Sequence, residues 1–584
     1  LGNPTIIMVT DRQDLDGQLF GVFNDSGELL GEAPKQAETI RELKDLLADR
    51  PSGGIIFTTI QKFKPEKGED KFPVLTDRHN VIVMCDEAHR TQYGFKGVVD
   101  QKTGQIKYGL ARALRDGLPN ATFLAFTGTP ISQDDRDTQA VFGEYVDFLL
   151  REKFSISFYL EGGRSRTGKL LKPKAGLLSM VINSYKSQPR RDLYFVPVNI
   201  AYDRLVEARS YRKELHGARK QTENIRQFIK AIKILKSKFG NSYLNFSEPI
   251  NLSKFIISNY KLYENNKQEL AKRLSIVVMQ NIQKATIVSP NGLLSSLLLA
   301  TPNNALPEEE LYSIIDIVKR ILKKKPFHEK MVIIEENNEE SISNAQRLIG
   351  IKRYKHPGGH VIYAPEEELS YLNYYRNNCA HVMVIPSLIA SLFQFHDKLD
   401  KKTIIQGCLS YYKLLKHSLF LYWSEKEIQT IVTDYLNLMV EEKLLEEDST
   451  NLNYQRASIS SPHYSYLQII AGVLRTTFER YGIFICLIDQ HSQNNRIEIE
   501  DLEKKCQLLS SRIGILRGTK DLEYFQPEFF LNLLDTLETL DYITKTETSI
   551  IVNSSIKDVV EYSEYILSSD VHASIKRIRL QVGM

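Results

Sequence analysis

Apolar residues in the first part of the chain come in short unbroken runs separated by amphipathic stretches. Residues 6–9, 55–57, 81–84 and 122–126 are such runs, and runs of this length read as strands buried on both faces. Between them Ile40, Leu43, Leu46 and Leu47 fall on one face of a helix. This alternation predicts an open, mostly parallel α/β sheet over residues 1–147. Further along, Phe154, Ile156, Phe158 and Leu160 alternate with smaller or polar residues as a strand would, residues 177–185 repeat at helical spacing, and residues 194–200 read as a second strand. That is another βαβ-like unit. Beyond about residue 250 helical periodicity dominates, broken by polar connectors such as the acidic residues 335–340. No internal repeat and no low-complexity tract is visible along the chain.

Composition changes this picture little. The 584 residues suffice for roughly three or four domains, and 42% hydrophobic with 25% charged residues is ordinary globular usage. A net charge of +4 is too small to argue for nucleic acid or an anionic bilayer by itself. The five cysteines are scattered and form no Cys-x-x-Cys pair, so neither a disulfide framework nor a zinc site is expected, and a reducing cytosol suits them. The longest apolar run, residues 381–395, is interrupted by His381, Pro386, two serines and Gln394 and falls short of a bilayer span. The first residue is leucine and no basic-then-apolar leader follows, so the chain is expected to begin inside a longer gene.

Candidate chemistry gathers at strand ends. Asp86, Glu87, Ala88 and His89 follow the apolar run that ends at Met84, and Thr127, Gly128, Thr129 and Pro130 follow the next one. The carboxyl ends of strands are where open α/β sheets bind ligands. Asp86 would hold Mg²⁺ through water and Glu87 would polarise the attacking water. His89 has no second His or Cys at ligand spacing, so no metal site is assigned to it. With Thr10 to Asp16 and Thr58 to Phe63 in order before them, these motifs resemble the first motor domain of superfamily-two helicases. They are most similar to the motor subunit of type I restriction enzymes. The resemblance covers about residues 1–147 and implies Mg-ATP-driven DNA translocation on a RecA-like sheet. It assigns Asp86 and Glu87 to the metal, and Thr127, Gly128 and Thr129 to coupling. The family's phosphate loop is not found in these residues. Gly163 to Leu170 approaches its pattern, but Leu170 cannot ligate Mg²⁺ and Pro173 would interrupt the following helix.

A second constellation follows soon after. Glu161, Gly162, Gly163, Arg164, Ser165, Arg166, Thr167, Gly168 and Lys169 place glycines and three cations after a predicted strand. Glycine lets a small anion approach the backbone, and arginine forks onto phosphate oxygens as lysine cannot. A phosphorylated small molecule is the natural guest. With residues 195–202, 243–249 and 374–378, this run resembles bacterial membrane-associated glycerol-3-phosphate acyltransferases. The resemblance reaches from about residue 148 to near the C-terminus. It implies transfer of an acyl group from acyl-CoA or acyl carrier protein to the 1-hydroxyl of glycerol 3-phosphate, with no cofactor. Glu161, Gly162, Gly163, Arg164, Ser165 and Arg166 would form the family's third motif, its arginines on the substrate phosphate. Val196 and Pro197 would match the fourth, on the acyl-donor side. It further implies a peripheral site on the cytoplasmic face of the bacterial inner membrane.

The family's general base, His-x-x-x-x-Asp, does not occur: none of the 12 histidines has an aspartate five positions on. The expected organisation is therefore α/β: a truncated RecA-like parallel sheet over 1–147, a truncated α/β acyltransferase core over 148–250, and a mainly helical region over 251–584. The expected activity is glycerol-3-phosphate acyl transfer, impaired by the missing base. The alternatives are a DNA-translocase fragment and a chimeric or misassembled reading frame, because no Gly/Ser- or Pro-rich linker separates the halves near Tyr145. Residues 226–239 read as a basic amphipathic helix that covers a core or lies in a bilayer interface, the former favoured, Lys319 to Lys325 as a solvated face, and Trp423 as core.

Overall fold

The computed structural model of the protein describes residues 3–10, 20, 23–24, 33–49, 51–63, 72–85, 98–99, 106–107, 110–125, 136–151, 155–163, 165, 167–187, 192–205, 240–450, 452–492, 495–516 and 527–582. It is α/β with a parallel sheet at the N-terminal end and a helical C-terminal region, as the hydrophobic pattern predicts. The chain divides into two compact units, 1–164 with 172–191 and 259–275, and 165–171 with 192–258 and 276–584.

In the first unit β1 (Thr5–Thr10), β2 (Lys35–Gln36), β3 (Ile55–Thr59), β4 (Val81–Cys85) and β7 (Thr122–Ala125) form one sheet in the order β2-β3-β1-β4-β7, while β5 (Val98–Val99) and β6 (Ile106–Lys107) pair separately. All its pairings are parallel. β1 lies in the middle, and five of its six residues are buried. Helix α1 (Ile40–Ala48) starts at a capping box in which the Thr39 hydroxyl takes the Glu42 amide and the Glu42 carboxylate takes the Thr39 amide. Its Leu43 and Leu47 are buried, as their spacing predicts. Helix α2 (Leu110–Gly117) follows, and α3 (Arg136–Arg151) packs on α4 (Gly176–Ser187). The Ser184 hydroxyl donates to Asp147 at 2.6 Å, so the chain near Tyr145 is the interior of one helix.

The strand expected over residues 154–160 is not formed. Phe154 lies outside the described residues, and residues 155–160 carry no strand. Alternation alone does not make a strand, because its backbone groups need a neighbouring ladder. Here the Leu160 carbonyl accepts from the Lys174 amide instead, and Tyr159 stays 81% exposed.

In the second unit the strand expected over 194–200 is split. β8 (Tyr194–Phe195) pairs antiparallel with β11 (Ile250–Asn251), and β9 (Val198–Tyr202) pairs antiparallel with β10 (Ser242–Phe246). Pro197, which has no amide hydrogen to give a ladder, sits at the break. Helix α5 (Leu252–Ser258) comes next; α6 (Tyr260–Asn265) and the first half of α7 (Lys267–Lys284) belong to the first unit, and in the second β12 (Ile287–Val288) pairs parallel with β14 (Val332–Ile333).

The C-terminal region holds a repeat that the sequence does not disclose. A helix, a short strand, a helix pair, a β-hairpin and a closing helix recur three times. The first copy is α8 (Pro290–Leu299), β13 (Ala305–Pro307), α9 (Glu308–Lys324), α10 (Asn338–Leu348), β15 (Lys352–His356), β16 (Gly359–Tyr363) and α11 (Leu369–Cys379). The second is α12 (Val384–Leu392), β17 (Lys398–Asp400), α13 (Lys401–Ser418), α14 (Glu425–Glu441), β18 (Leu445–Glu447), β19 (Asn453–Arg456) and α15 (Pro462–Gly472). The third is α16 (Arg475–His491), β20 (Arg496–Glu498), α17 (Ile499–Leu516), α18 (Pro527–Thr539), β21 (Ile543–Lys545), β22 (Ser549–Val552) and α19 (Lys557–Ile566), after which α20 (Ser569–Val582) closes the chain. In every copy the hairpin's second strand lies between the other two, and the first helix packs on the closing one.

Asp434 of α14 and the adjoining Glu441 and Glu442 bind Lys325, Lys324 and Arg320 at 2.6, 2.5 and 2.7 Å. Arg320, Lys324 and Lys325 thus link one copy to the next, while Arg320, Lys323 and Lys324 stay exposed, as expected of a solvated face. Trp423 is buried in this core, as expected.

Close helix contact makes one glycine sensitive. A Cβ on Gly472 would stand 2.4 Å from the Ala300 carbonyl oxygen and 2.9 Å from its Cβ. Backbone cannot swing aside as a side chain does, so Gly472→Ala is expected to cost about 2 kcal/mol through overpacking. A urea titration followed by circular dichroism checks this, and an unchanged midpoint would refute it.

Candidate substrate site

The glycine-rich run forms two local structures. In the first unit Gly162 takes φ +60°, and its amide donates to the Tyr159 carbonyl at 3.1 Å. Glu161 is half-buried and Gly163 exposed on this turn. In the second unit the loop Ser165–Leu171 closes on itself through the Ser165 hydroxyl, which donates to the Lys169 carbonyl at 2.6 Å. The Asn377 amide, on α11, donates to the Thr167 carbonyl at 2.8 Å. Gly168 takes φ +77°, and a Cβ there would stand 2.3 Å from the Tyr374 carbonyl oxygen. Both the left-handed backbone and the contact demand glycine. Arg164 and Arg166, expected on the phosphate, lie outside the described residues.

Strands β9 and β10 make the second part. Asn199 and Asn245 are directly opposed across the pair. Asparagine is uncommon within strands, and both side chains here tie the strand pair to the rest of the unit. The Asn245 amide donates to the carbonyls of Ala285 and Lys330 at 2.9 and 2.6 Å. The Asn199 carbonyl oxygen accepts from the Ile287 amide at 3.3 Å. The other face of the strand pair is apolar and open: Ile200 and Tyr202 are more than a third exposed, and Leu244 and Phe246 are each 60% exposed. Pro197 is buried, and its carbonyl accepts from the Ser247 amide at 2.9 Å.

The exit of β9 is bound just as firmly. The Asp203 carboxylate accepts from the Asn241 amide at 2.8 Å and the Tyr243 hydroxyl at 3.3 Å. The Asn291 side chain donates to the Asp203 carbonyl at 2.8 Å. The Leu205 amide donates to the hydroxyls of Tyr371 and Tyr375 at 3.2 and 3.1 Å, which lie 2.5 Å from each other. Burial pushes both phenols further above their ordinary range, so both stay protonated.

The motor-type candidates Asp86, Glu87, His89, Thr127, Gly128 and Thr129 follow β4 and β7 in sequence and lie outside the described residues. Among the described residues no cluster of His, Cys, Asp and Glu is arranged to hold a metal ion. The sequence reading gave roles to the glycines and arginines, included Asn199, Asn245 and Asn377 in matched segments without a role, and passed over Tyr371. The signal for the two strand asparagines was their unusual place within apolar strands.

Residues 211–546 match the family model of the glycerol-3-phosphate acyltransferase C-terminal region. The chain belongs to the glycerol-3-phosphate acyltransferase family. An acyltransferase family model also matches residues 108–201, and the SWI2/SNF2 ATPase model matches residues 1–152. Residues 108–152 thus fall under both. The glycerol-3-phosphate acyltransferase of Pseudomonas paraeruginosa strain PA7 is 30% identical over 454 residues, 76% of this chain and 54% of that protein. The same enzyme of Pseudomonas syringae pv. tomato strain DC3000 is 29% identical over 467 residues, 78% of this chain and 55% of that protein. The chain spans about half the length of the curated relatives it matches.

Proposed function

We propose that the chain binds glycerol 3-phosphate and takes part in transferring an acyl group to its 1-hydroxyl, the first step of phospholipid synthesis. The observation that carries this reading is the seating of the loop Ser165–Leu171 on α11, which gives a glycine- and cation-rich segment a defined place in the family's fold. Arg164 and Arg166 take the phosphate, with Glu161, Gly162, Gly163 and Ser165 as further binding residues. The open apolar face of β9 and β10, next to Pro197, suits the acyl chain of acyl-CoA or acyl carrier protein. The hydroxyl oxygen attacks the thioester carbonyl, the carbon–oxygen bond forms, the carbon–sulfur bond breaks and the thiol leaves. No cofactor enters that balance.

An acylated product is amphiphilic, so the reading implies peripheral attachment to the cytoplasmic face of the bacterial inner membrane. Among the described residues no helix is long and apolar enough to cross a membrane. Titration calorimetry of the whole chain with sn-glycerol 3-phosphate tests the reading. Saturable binding that glycerol does not reproduce supports it, and no binding at millimolar concentrations refutes it.

A second reading is favoured by the five-stranded parallel sheet and the SWI2/SNF2 match: a fragment of an Mg-ATP-dependent DNA motor of the type I restriction kind. DNA-stimulated ATP hydrolysis by the chain would establish it. A third, that the reading frame is chimeric or misassembled, is tested by sequencing the source DNA across the codons for residues 100–200. A contiguous product excludes misassembly.

A further inference from the structure

We propose that α11, a helix of the C-terminal region, positions the substrate loop through Asn377 and Gly168 and the exit of β9 through Tyr371 and Tyr375. The proposal rests on the reading of Ser165–Leu171 as part of a glycerol 3-phosphate site. Neighbouring residues of one helix do this work. The Tyr371 and Tyr375 hydroxyls accept the Leu205 amide, three residues beyond the end of β9. The Asn377 amide holds the Thr167 carbonyl, and the Tyr374 carbonyl lies so close to Gly168 that no side chain fits between. The helix is itself fixed. Gly292 of α8 lets the two helices approach until a Cβ there would stand 2.9 Å from the Cys379 sulfur.

The consequence is a fixed spacing between the loop and the exit of β9, the strand proposed to face the acyl chain. Ser165 and Thr167 flank Arg166, and both are tied, the first to Lys169 and the second to α11. A bidentate arginine grips phosphate only when its backbone is held in register, and small misplacements of a positioned group are costly. Asn377 is a positioning residue in this scheme. It touches the loop backbone and no reacting atom.

The test is calorimetry of sn-glycerol 3-phosphate binding to the whole chain and to Asn377→Asp, Asn377→Gln and Gly168→Ala, with thermal melting as the fold readout. Asn377→Asp keeps the size of the side chain but sets a carboxylate against the Thr167 carbonyl. Gly168→Ala forces the loop off α11. Both are expected to bind about tenfold more weakly or worse, from a lost and repelled hydrogen bond in the first and a clash in the second. Asn377→Gln keeps the donor and is expected to recover most of the affinity, with melting temperatures close to the parent's. Parent-like affinity in Asn377→Asp overturns the positioning role. So does a loss in Asn377→Gln as deep as in Asn377→Asp, because the donor would then be irrelevant. A parent chain that does not bind glycerol 3-phosphate overturns the substrate reading and the role with it, a pattern distinct from selective failure of the variants.

Discussion

Given glycerol 3-phosphate and an acyl thioester, the 584-residue chain is expected to transfer acyl groups about 10²–10⁴-fold more slowly than a Pseudomonas relative assayed beside it. The attacking hydroxyl must lose its proton as the carbon–oxygen bond forms, and a positioned base contributes about that factor. No histidine in the chain has an aspartate five residues on. Two of those the structure describes are committed elsewhere. His381 is fully buried. His360 has a carboxylate at 3.3 Å, but this is Glu308, which Arg353 and Tyr312 also bind at 2.7 Å, so the group is a closed ion pair beneath the first hairpin. Without an oriented base the proton would have to pass to water. Radiolabelled glycerol 3-phosphate incorporation, measured for both proteins at equal concentration, reads the ratio directly. A rate within a few-fold of the relative's would mean that another group supplies the base, and the impairment would have to be abandoned.

Between pH 7 and pH 4 His381 alone is expected to remove about 3 kcal/mol of stability. Its Nε2 lies 2.8 Å from the Thr286 hydroxyl, whose own proton goes to the Gln283 carbonyl at 2.6 Å. Nε2 therefore carries the hydrogen, and the buried Nδ1 has no hydrogen-bond partner among the described residues. Phe327 stands edge-on to the ring, with centroids 5.2 Å apart. A cation here would lose its water and gain little in return. Burial consequently pushes the imidazole down to about 4, with the Gln283 backbone pulling slightly the other way. The sign follows directly. Above pH 6.5 both folded and unfolded forms are neutral, and stability does not depend on this group. From 6.5 down to about 4 the unfolded chain binds a proton that the folded chain refuses, so stability falls as pH falls. Urea unfolding at several pH values, for the parent and His381→Leu, isolates the effect, because every other titrating group is common to both. Equal pH slopes in the two proteins would show that His381 takes up its proton without unfolding.

Much of this molecule follows from local pattern. The runs at 6–9, 55–57, 81–84 and 122–126 became neighbouring parallel strands. The stripe carrying Leu43 and Leu47 became a capped helix, and the repeat at 177–185 became α4. Period and capping residues are written within a few positions of one another, so a single pass along the chain finds them. The glycine-rich signature was legible for the same reason, since its residue types occur side by side.

Tertiary structure decided the rest. Residues 155–160 alternate like a strand but found no ladder to join, because pairing depends on a partner elsewhere in the chain. The threefold helix-hairpin repeat left no trace in the sequence, since one binary pattern can be filled by many side chains. Asn377 meets Thr167 across 210 residues and Tyr375 meets Leu205 across 170. By itself the sequence determined the elements and the chemistry of the loop. Where that loop sits, and what holds it, depended on hydrogen bonds between distant segments, which no local period encodes.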